Sequence, residues 1–148
     1  MEGRKQTMTT SENELQAISE SMEKFHYSEI LIDHAQNPRN MDIAESYNGF
    51  AINDGYCGDM MSMWLRVEDG VVKNATFHTD GCGPSIACGS MATEMAKGKT
   101  IDEIREITPD RITEALGGLP PDHEHCASLA VGTLQLALTD YLHSPQDV

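Results

Sequence analysis

Met60-Met61-Ser62-Met63-Trp64-Leu65-Arg66-Val67-Glu68-Asp69-Gly70-Val71-Val72-Lys73-Asn74-Ala75-Thr76-Phe77-His78-Thr79 reads as two strands and the turn that joins them. In the first half, Met61, Met63, Leu65 and Val67 fall on one face and Ser62, Trp64 and Arg66 on the other. That is the period of a strand with one side buried. Asp69-Gly70 is a hairpin turn signal, because the favoured two-residue turn needs positive φ at both central positions. The return strand offers Ala75 and Phe77 to the core and turns His78 to solvent. A shorter strand over residues 49–54 comes before them. The methionines are adaptable core filling, and the alternation explains their spacing without a Met-based copper site.

Downstream of the hairpin the pattern is helical. Residues 84–97 form one helix, ended by Gly98. Thr100 and Glu103 have capping-box spacing and open a short helix through Glu106. Thr108 caps another, with Pro109 in its first turn and Gly117-Gly118 at its end. Leu119-Pro120-Pro121 is extended by the geometry of proline. A last helix runs from about Glu124 to Leu142, with Ala127, Val131, Leu134, Leu138 and Tyr141 on its apolar face. Upstream, residues 27–36 are amphipathic, and Asn37-Pro38 stops them. Residues 37–48 are polar loop. His26 and His34 read as surface or packing residues. From Ser11 a further helix is expected, with Glu14 at capping-box spacing and Leu15, Ile18, Met22 and Phe25 on one face. The division is an N-terminal extension over residues 1–26, a domain over 27–143 and a tail over 144–148. The fold class is α+β: a three-stranded antiparallel sheet with helices mainly on one face and the other face more open.

The 148 residues suffice for one domain. Twenty-four acidic against 10 basic residues give a net charge of −14. No basic stretch exists to neutralise phosphates, which argues against nucleic acid and against an anionic membrane surface. A basic protein partner is compatible. No apolar run reaches the length of a transmembrane helix. The first residues are acid-rich and lack a signal-peptide core, so the expected compartment is the reducing cytoplasm. There, cysteines read as metal-binding or catalytic rather than as a disulfide frame.

The cysteines are Cys57, Cys82, Cys88 and Cys126. Cys82 lies in Thr79-Asp80-Gly81-Cys82-Gly83-Pro84-Ser85, at the junction of a strand and a helix that Pro84 opens. The partial positive charge of a helix N-terminus favours its thiolate, the nucleophilic and metal-binding form. Cys57 sits in the turn Gly55-Tyr56-Cys57-Gly58-Asp59, and Cys126 begins the last helix behind His125. Three cysteines at element ends can converge at one end of the sheet; as inert small hydrophobes they would suit mid-element positions better. Asp59 and His125 are candidate extra ligands, each beside one of these cysteines. The bland alternatives are a turn carboxylate and a solvated histidine. Cys88, six residues beyond Cys82, is a packed core cysteine or an auxiliary thiol that relays sulfur.

Tyr27-Ser28-Glu29, Asp33-His34, Asn37-Pro38-Arg39-Asn40, Cys57-Gly58-Asp59, Gly81-Cys82-Gly83, Ala92-Thr93-Glu94, Gly98-Lys99-Thr100, Leu119-Pro120-Pro121 and His125-Cys126 occur in this order. In that pattern the chain resembles the IscU/NifU N-terminal-domain family of iron–sulfur cluster assembly scaffolds, IscU-like branch, from about Tyr27 to Tyr141. The resemblance implies a scaffold rather than a conventional catalyst. It would accept persulfide sulfur from a PLP-dependent cysteine desulfurase, bind iron, build a [2Fe–2S] cluster and pass it to acceptor proteins. It implies Cys57, Cys82 and Cys126 as thiolate ligands, Asp59 or His125 in the fourth position, and Cys126 as persulfide acceptor. In the IscU branch Leu-Pro-Pro is followed by Val-Lys, the segment read by a dedicated heat-shock chaperone. Here Asp122-His123 follow, which argues against that partner and puts His123 where the family has a basic residue. Whether a cluster sits in one chain or between two copies of a homodimer is left open.

Two rivals share these residues. Zinc held by three thiolates and Asp59 or His125 would make a zinc-dependent sulfur-transfer protein. A Cys126–His125 nucleophilic enzyme is the other, and is disfavoured because adjacent helical residues point about 100° apart.

Overall fold

The computed structural model describes residues 27–55 and 58–144. The helix expected from Ser11, the cysteine Cys57 and the residues after Ser144 lie outside the described residues.

Strands β1 (Gly49–Asp54), β2 (Met60–Glu68) and β3 (Val71–Thr79) form one antiparallel sheet in the order β1-β2-β3, at the bounds the alternation predicts. The β2–β3 turn has φ 55° at Asp69 and 75° at Gly70, the paired positive values that match the twist of a hairpin. Met61, Met63, Leu65 and Val67 are buried as expected, and so are Ala75 and Phe77. Val72 is buried too, although it stands three residues from Ala75. A register shift between Arg66 and Val67 reconciles the two: Leu65 faces Ala75 but Val67 faces Val72. The extra β3 residue at this bulge returns Val72 to the core side.

Helix α1 (Glu29–Gln36) starts two residues later than its periodicity suggests, because Ser28 caps it and accepts the Leu31 N–H at 2.9 Å. Helix α2 (Gly83–Ala96) leaves β3 directly. Next come α3 (Ile101–Arg105) and α4 (Pro109–Ala115). Both halves of the Thr100–Glu103 capping box are made, and Thr108 caps α4 through the Arg111 N–H. A 3-10 turn over Pro121–His123 leads into α5 (Glu124–His143). Helix α2 packs on β3, and α5 packs on β1 and β2, so one face of the sheet is covered. No helix among the described residues is long and apolar enough to cross a membrane.

Close approach of α2 to the sheet depends on Gly89, where a Cβ would stand 2.5 Å from the Phe77 ring. The loop after α1 is more ordered than its polarity suggests. Asn40, with φ 65°, donates to Thr93 Oγ1 at 3.1 Å and Glu94 Oε2 at 2.9 Å. Phe77 donates its N–H to Asn40 O at 2.9 Å, and Asp42 donates its own to Phe77 O at 3.0 Å. These bonds cover the outer edge of β3, which would otherwise present unpaired backbone groups. On the open face Phe50 packs against Trp64 and Tyr47, with ring centroids 5.3 and 6.1 Å apart. Ser62 shares that face but is buried, in register between Ile52 and His78.

Antiparallel pairing puts the end of β1, the start of β2 and the end of β3 together, since Asp54 pairs with Met60 and Met61 with Thr79. The segments holding Asp59 and Cys82 therefore leave the sheet side by side.

Candidate metal centre

The strand ends are tied before the site begins. Thr79 Oγ1 donates to Met60 O at 2.5 Å and accepts the Gly81 N–H at 3.1 Å, while Asp80 accepts the Met60 N–H at 2.9 Å. Cys82 is the N-cap of α2, with extended backbone at φ −77° and ψ −178°. Its side chain makes no capping bond, which leaves the sulfur exposed. One turn in, the buried Ser85 hydroxyl donates to Asp59 Oδ2 at 2.9 Å and lies 3.3 Å from Cys126 Sγ and 3.8 Å from Cys82 Sγ. A hydroxyl has one proton, so these groups compete for it. Gly81 makes the convergence feasible: a Cβ there would stand 2.7 Å from Ser85 Oγ and 2.9 Å from Asp59 Oδ2.

The other half comes from the start of α5. Pro120 and Pro121 restrict the chain, and the 3-10 turn leaves His123 at φ −121° and ψ 9° as the N-cap residue of α5. Cys126 follows three residues later and is fully buried. One ligand atom each of Cys82, His123 and Cys126 lie within 4.8 Å of one another. Two thiols and an imidazole suit a borderline cation such as Zn²⁺ or Fe²⁺. His123 Nδ1 and Asp59 Oδ1 are shielded from solvent with no hydrogen-bond partner among the described residues. The Tyr27 ring meets His123 edge-on at 6.2 Å. His125 Nε2 lies 3.7 Å from Cys126 Sγ, so these neighbours do meet, through a long sulfur contact.

The two sulfurs share a proton unequally. Cys82 is pulled down to about 5, first by the hydrogen bond from the Cys126 thiol, then by the Ser85 backbone N–H and hydroxyl and the His123 charge, against the cost of burial. Cys126 is pushed up by the same bond and by burial. The shared bond therefore favours the negative charge on Cys82 and the proton on Cys126.

Among the sequence candidates, the fold brings together Asp59, Cys82 and Cys126, with His125 at the Cys126 sulfur. Cys57 lies outside the described residues. Cys88 is fully buried in the core, and burial pushes its thiol up to about 12, which makes it an inert packing residue. Sequence reasoning gave Ser85 no role and named His123 only as standing where the family has a basic residue. Ser85 looks like any polar residue in a first helical turn. The spacing of His123 from Cys126, three residues into a helix start, was the available signal for a shared face.

The chain matches the family of the NifU-like N terminal domain over residues 26–147. It is 47% identical over 116 residues to an iron-sulfur cluster assembly scaffold protein, IscU 1, of Archaeoglobus fulgidus, covering 78% of this chain and 76% of that one. It is 44% identical over 121 residues to the IscU scaffold protein of Aquifex aeolicus, covering 80% and 77%. The fold is similar to a nitrogen-fixing NifU-like protein (N-terminal) from Brucella abortus, with TM-score 0.64 and 17% identity over 84% of this chain and 99% of that one.

Proposed function

Because the chain belongs to the family of NifU-like N terminal domains, we propose that it is a scaffold on which iron and sulfur are assembled into a cluster and from which the cluster is passed on. The observation that carries this reading is the convergence of Cys82, His123 and Cys126, with Asp59 tied to the same point through Ser85. The names of its relatives from Archaeoglobus and Aquifex support it. Iron and sulfide are cargo here rather than a resident cofactor. Thiolates from Cys57, Cys82 and Cys126 hold a [2Fe–2S] cluster, and the fourth donor is Asp59 or an imidazole of the His123-Glu124-His125 run. A carboxylate or imidazole is less matched to cluster iron than a fourth thiolate. Such a mixed set binds firmly enough to assemble and loosely enough to release.

Sulfur arrives as a persulfide on a cysteine desulfurase, and Cys126 accepts it. The Cys126 sulfur attacks the outer persulfide sulfur, forming a new S–S bond while the old one breaks, and the Cys126 proton ends on the desulfurase thiolate that leaves. Cys126 is buried, so neighbouring side chains, His125 among them, move aside for this step. Acceptor proteins in the cytoplasm receive the product.

Zinc in the same site is the second reading, favoured by the fit of two thiolates and an imidazole to a tetrahedral zinc centre. Anaerobic reconstitution with ferrous iron and sulfide, read by absorption and Mössbauer spectra, separates the two. A [2Fe–2S] signal in the wild type that is lost in Cys82→Ser supports the scaffold. A colourless protein holding stoichiometric zinc overturns it in favour of sulfur transfer at zinc.

A further inference from the structure

Ser85 touches the Asp59 carboxylate and both sulfurs of this centre, and it stands between them. Building on the scaffold reading, we propose that Ser85 is a positioning residue that acts as a latch on Asp59. Its hydroxyl holds the carboxylate back from the sulfurs in the metal-free protein, lets it go as cargo loads, and takes it back as cargo leaves.

Asp59 sits in a seat shaped around its side chain. The turn that carries it is closed by the Gly55 N–H, which donates to Asp59 O at 2.5 Å. A Cβ on Gly55 would collide with Asp59 Oδ1. One on Gly81 would stand 2.9 Å from Asp59 Oδ2 and 2.7 Å from Ser85 Oγ. Neither glycine has a positive φ, so room for the carboxylate, rather than backbone conformation, is what calls for glycine at these two positions. Inside the seat Oδ2 accepts the hydroxyl of the fully buried Ser85 at 2.9 Å.

The arrangement restrains Asp59 rather than presenting it. The donors whose atoms meet within 4.8 Å are Cys82, His123 and Cys126, and Asp59 is not among them. The hydroxyl lies in between, 3.3 Å from Cys126 Sγ. Oδ2, on the Gly81 side, is bonded to Ser85, and Oδ1 lies over Gly55. Asp59 therefore joins a metal at the sulfurs by giving up the Ser85 bond. Little else ties the carboxylate down, since Oδ1 is shielded from water with no partner among the described residues. A half-satisfied carboxylate is costly to bury, which favours its leaving once a cation offers it a place. The freed hydroxyl is not stranded either. It can turn its proton to Cys126 Sγ or to Cys82 Sγ, 3.8 Å away, which offsets part of the lost bond.

Zinc alone is the probe, titrated anaerobically into the full-length protein against a chromophoric chelator. Ser85→Ala should tighten zinc binding by about five- to tenfold, because Asp59 no longer gives up a bond to reach the metal. In an Asp59→Ala background the same substitution should change affinity by less than about twofold, since no carboxylate is left to hold. In the unmutated protein the Asp59 carboxyl-carbon and Ser85 Cβ resonances should move together as zinc is added, a readout that needs no variant to fold. Unchanged or weaker zinc binding in Ser85→Ala, an equal gain in both backgrounds, or an Asp59 resonance that zinc leaves in place overturns the latch. Those outcomes leave the scaffold reading intact if the wild type still loads a cluster. A protein in which zinc moves Asp59 and Ser85 together, but which never builds a cluster, overturns the scaffold reading and leaves the latch standing.

Discussion

Ser85 shows how much one hydroxyl can organise. It bonds Asp59 Oδ2 and borders both sulfurs of the site, while Asp59 Oδ1 has no partner among the described residues. Ser85→Ala leaves the carboxylate without that donor and should destabilise the metal-free protein by about 1–3 kcal/mol, measured by urea unfolding. An unchanged midpoint would mean that water replaces the hydroxyl at no cost. On the proposed scaffold reading, Asp59 is a candidate donor in the loaded state. Asp59→Ala should retain a cluster but transfer it more slowly, because the weakest donor is the one an incoming acceptor thiolate displaces. Transfer at the wild-type rate, followed by circular dichroism with an apo-ferredoxin, would sink that role. His34 is a third case, far from the metal. Its Nδ1 lies 2.7 Å from the Ser90 hydroxyl, whose oxygen already receives the Arg39 N–H at 2.9 Å. The Ser90 proton is thus available to Nδ1, which suits a neutral ring. Burial, then the Arg39 charge, holds His34 below its ordinary value. The unfolded chain therefore binds a proton near pH 6.5 that the folded one refuses, and stability should fall as pH drops below about 6.5. His34→Asn, whose Oδ1 can accept in place of Nδ1, should flatten that slope in unfolding experiments at pH 7.5 and 5.5. Equal slopes would remove His34 from the account.

Among the elements, the two glycines that shape the sheet do so for different reasons. Gly70 has open space around it and a φ of 75°, so Gly70→Ala costs the left-handed backbone alone, about 1–2 kcal/mol. Gly70→Asn should recover most of that loss. Gly89 is an ordinary helical residue whose missing Cβ lets α2 lie against Phe77. Gly89→Ala should cost about 1–3 kcal/mol by overpacking, and Asn at that position should be worse rather than better. Thermal unfolding of the four variants separates conformation from space; a Gly89→Ala protein as stable as the wild type would show that α2 can shift freely. At the start of α5, the 3-10 turn over Pro121–His123 leaves a ligand atom of His123 within 4.8 Å of the Cys82 and Cys126 sulfurs.

At the scale of the molecule, the net charge of −14 over 148 residues is self-repelling. The melting temperature should rise by a few degrees between about 10 mM and about 300 mM NaCl, as screening shortens the reach of that repulsion from about 30 Å to under 10 Å. A flat or falling series in calorimetry would show that the acidic groups are already locally compensated. The same chain shows what each kind of information decides. Strand bounds, the hairpin turn, the caps at Thr100 and Thr108 and the covered sheet face were all readable along the sequence, because alternation, turn chemistry and capping depend on residues within a few positions of one another. Cys82 at a helix mouth was readable for the same reason, and the order of the motifs pointed to the family. The β3 bulge, the buried Ser85 hydroxyl between Asp59 and Cys126, and the approach of His123 to both sulfurs were not. Ser85 stands 26 residues from Asp59 and 41 from Cys126. Only packing α2 and α5 against one end of the sheet brings those atoms within bonding distance, and no local preference encodes that meeting.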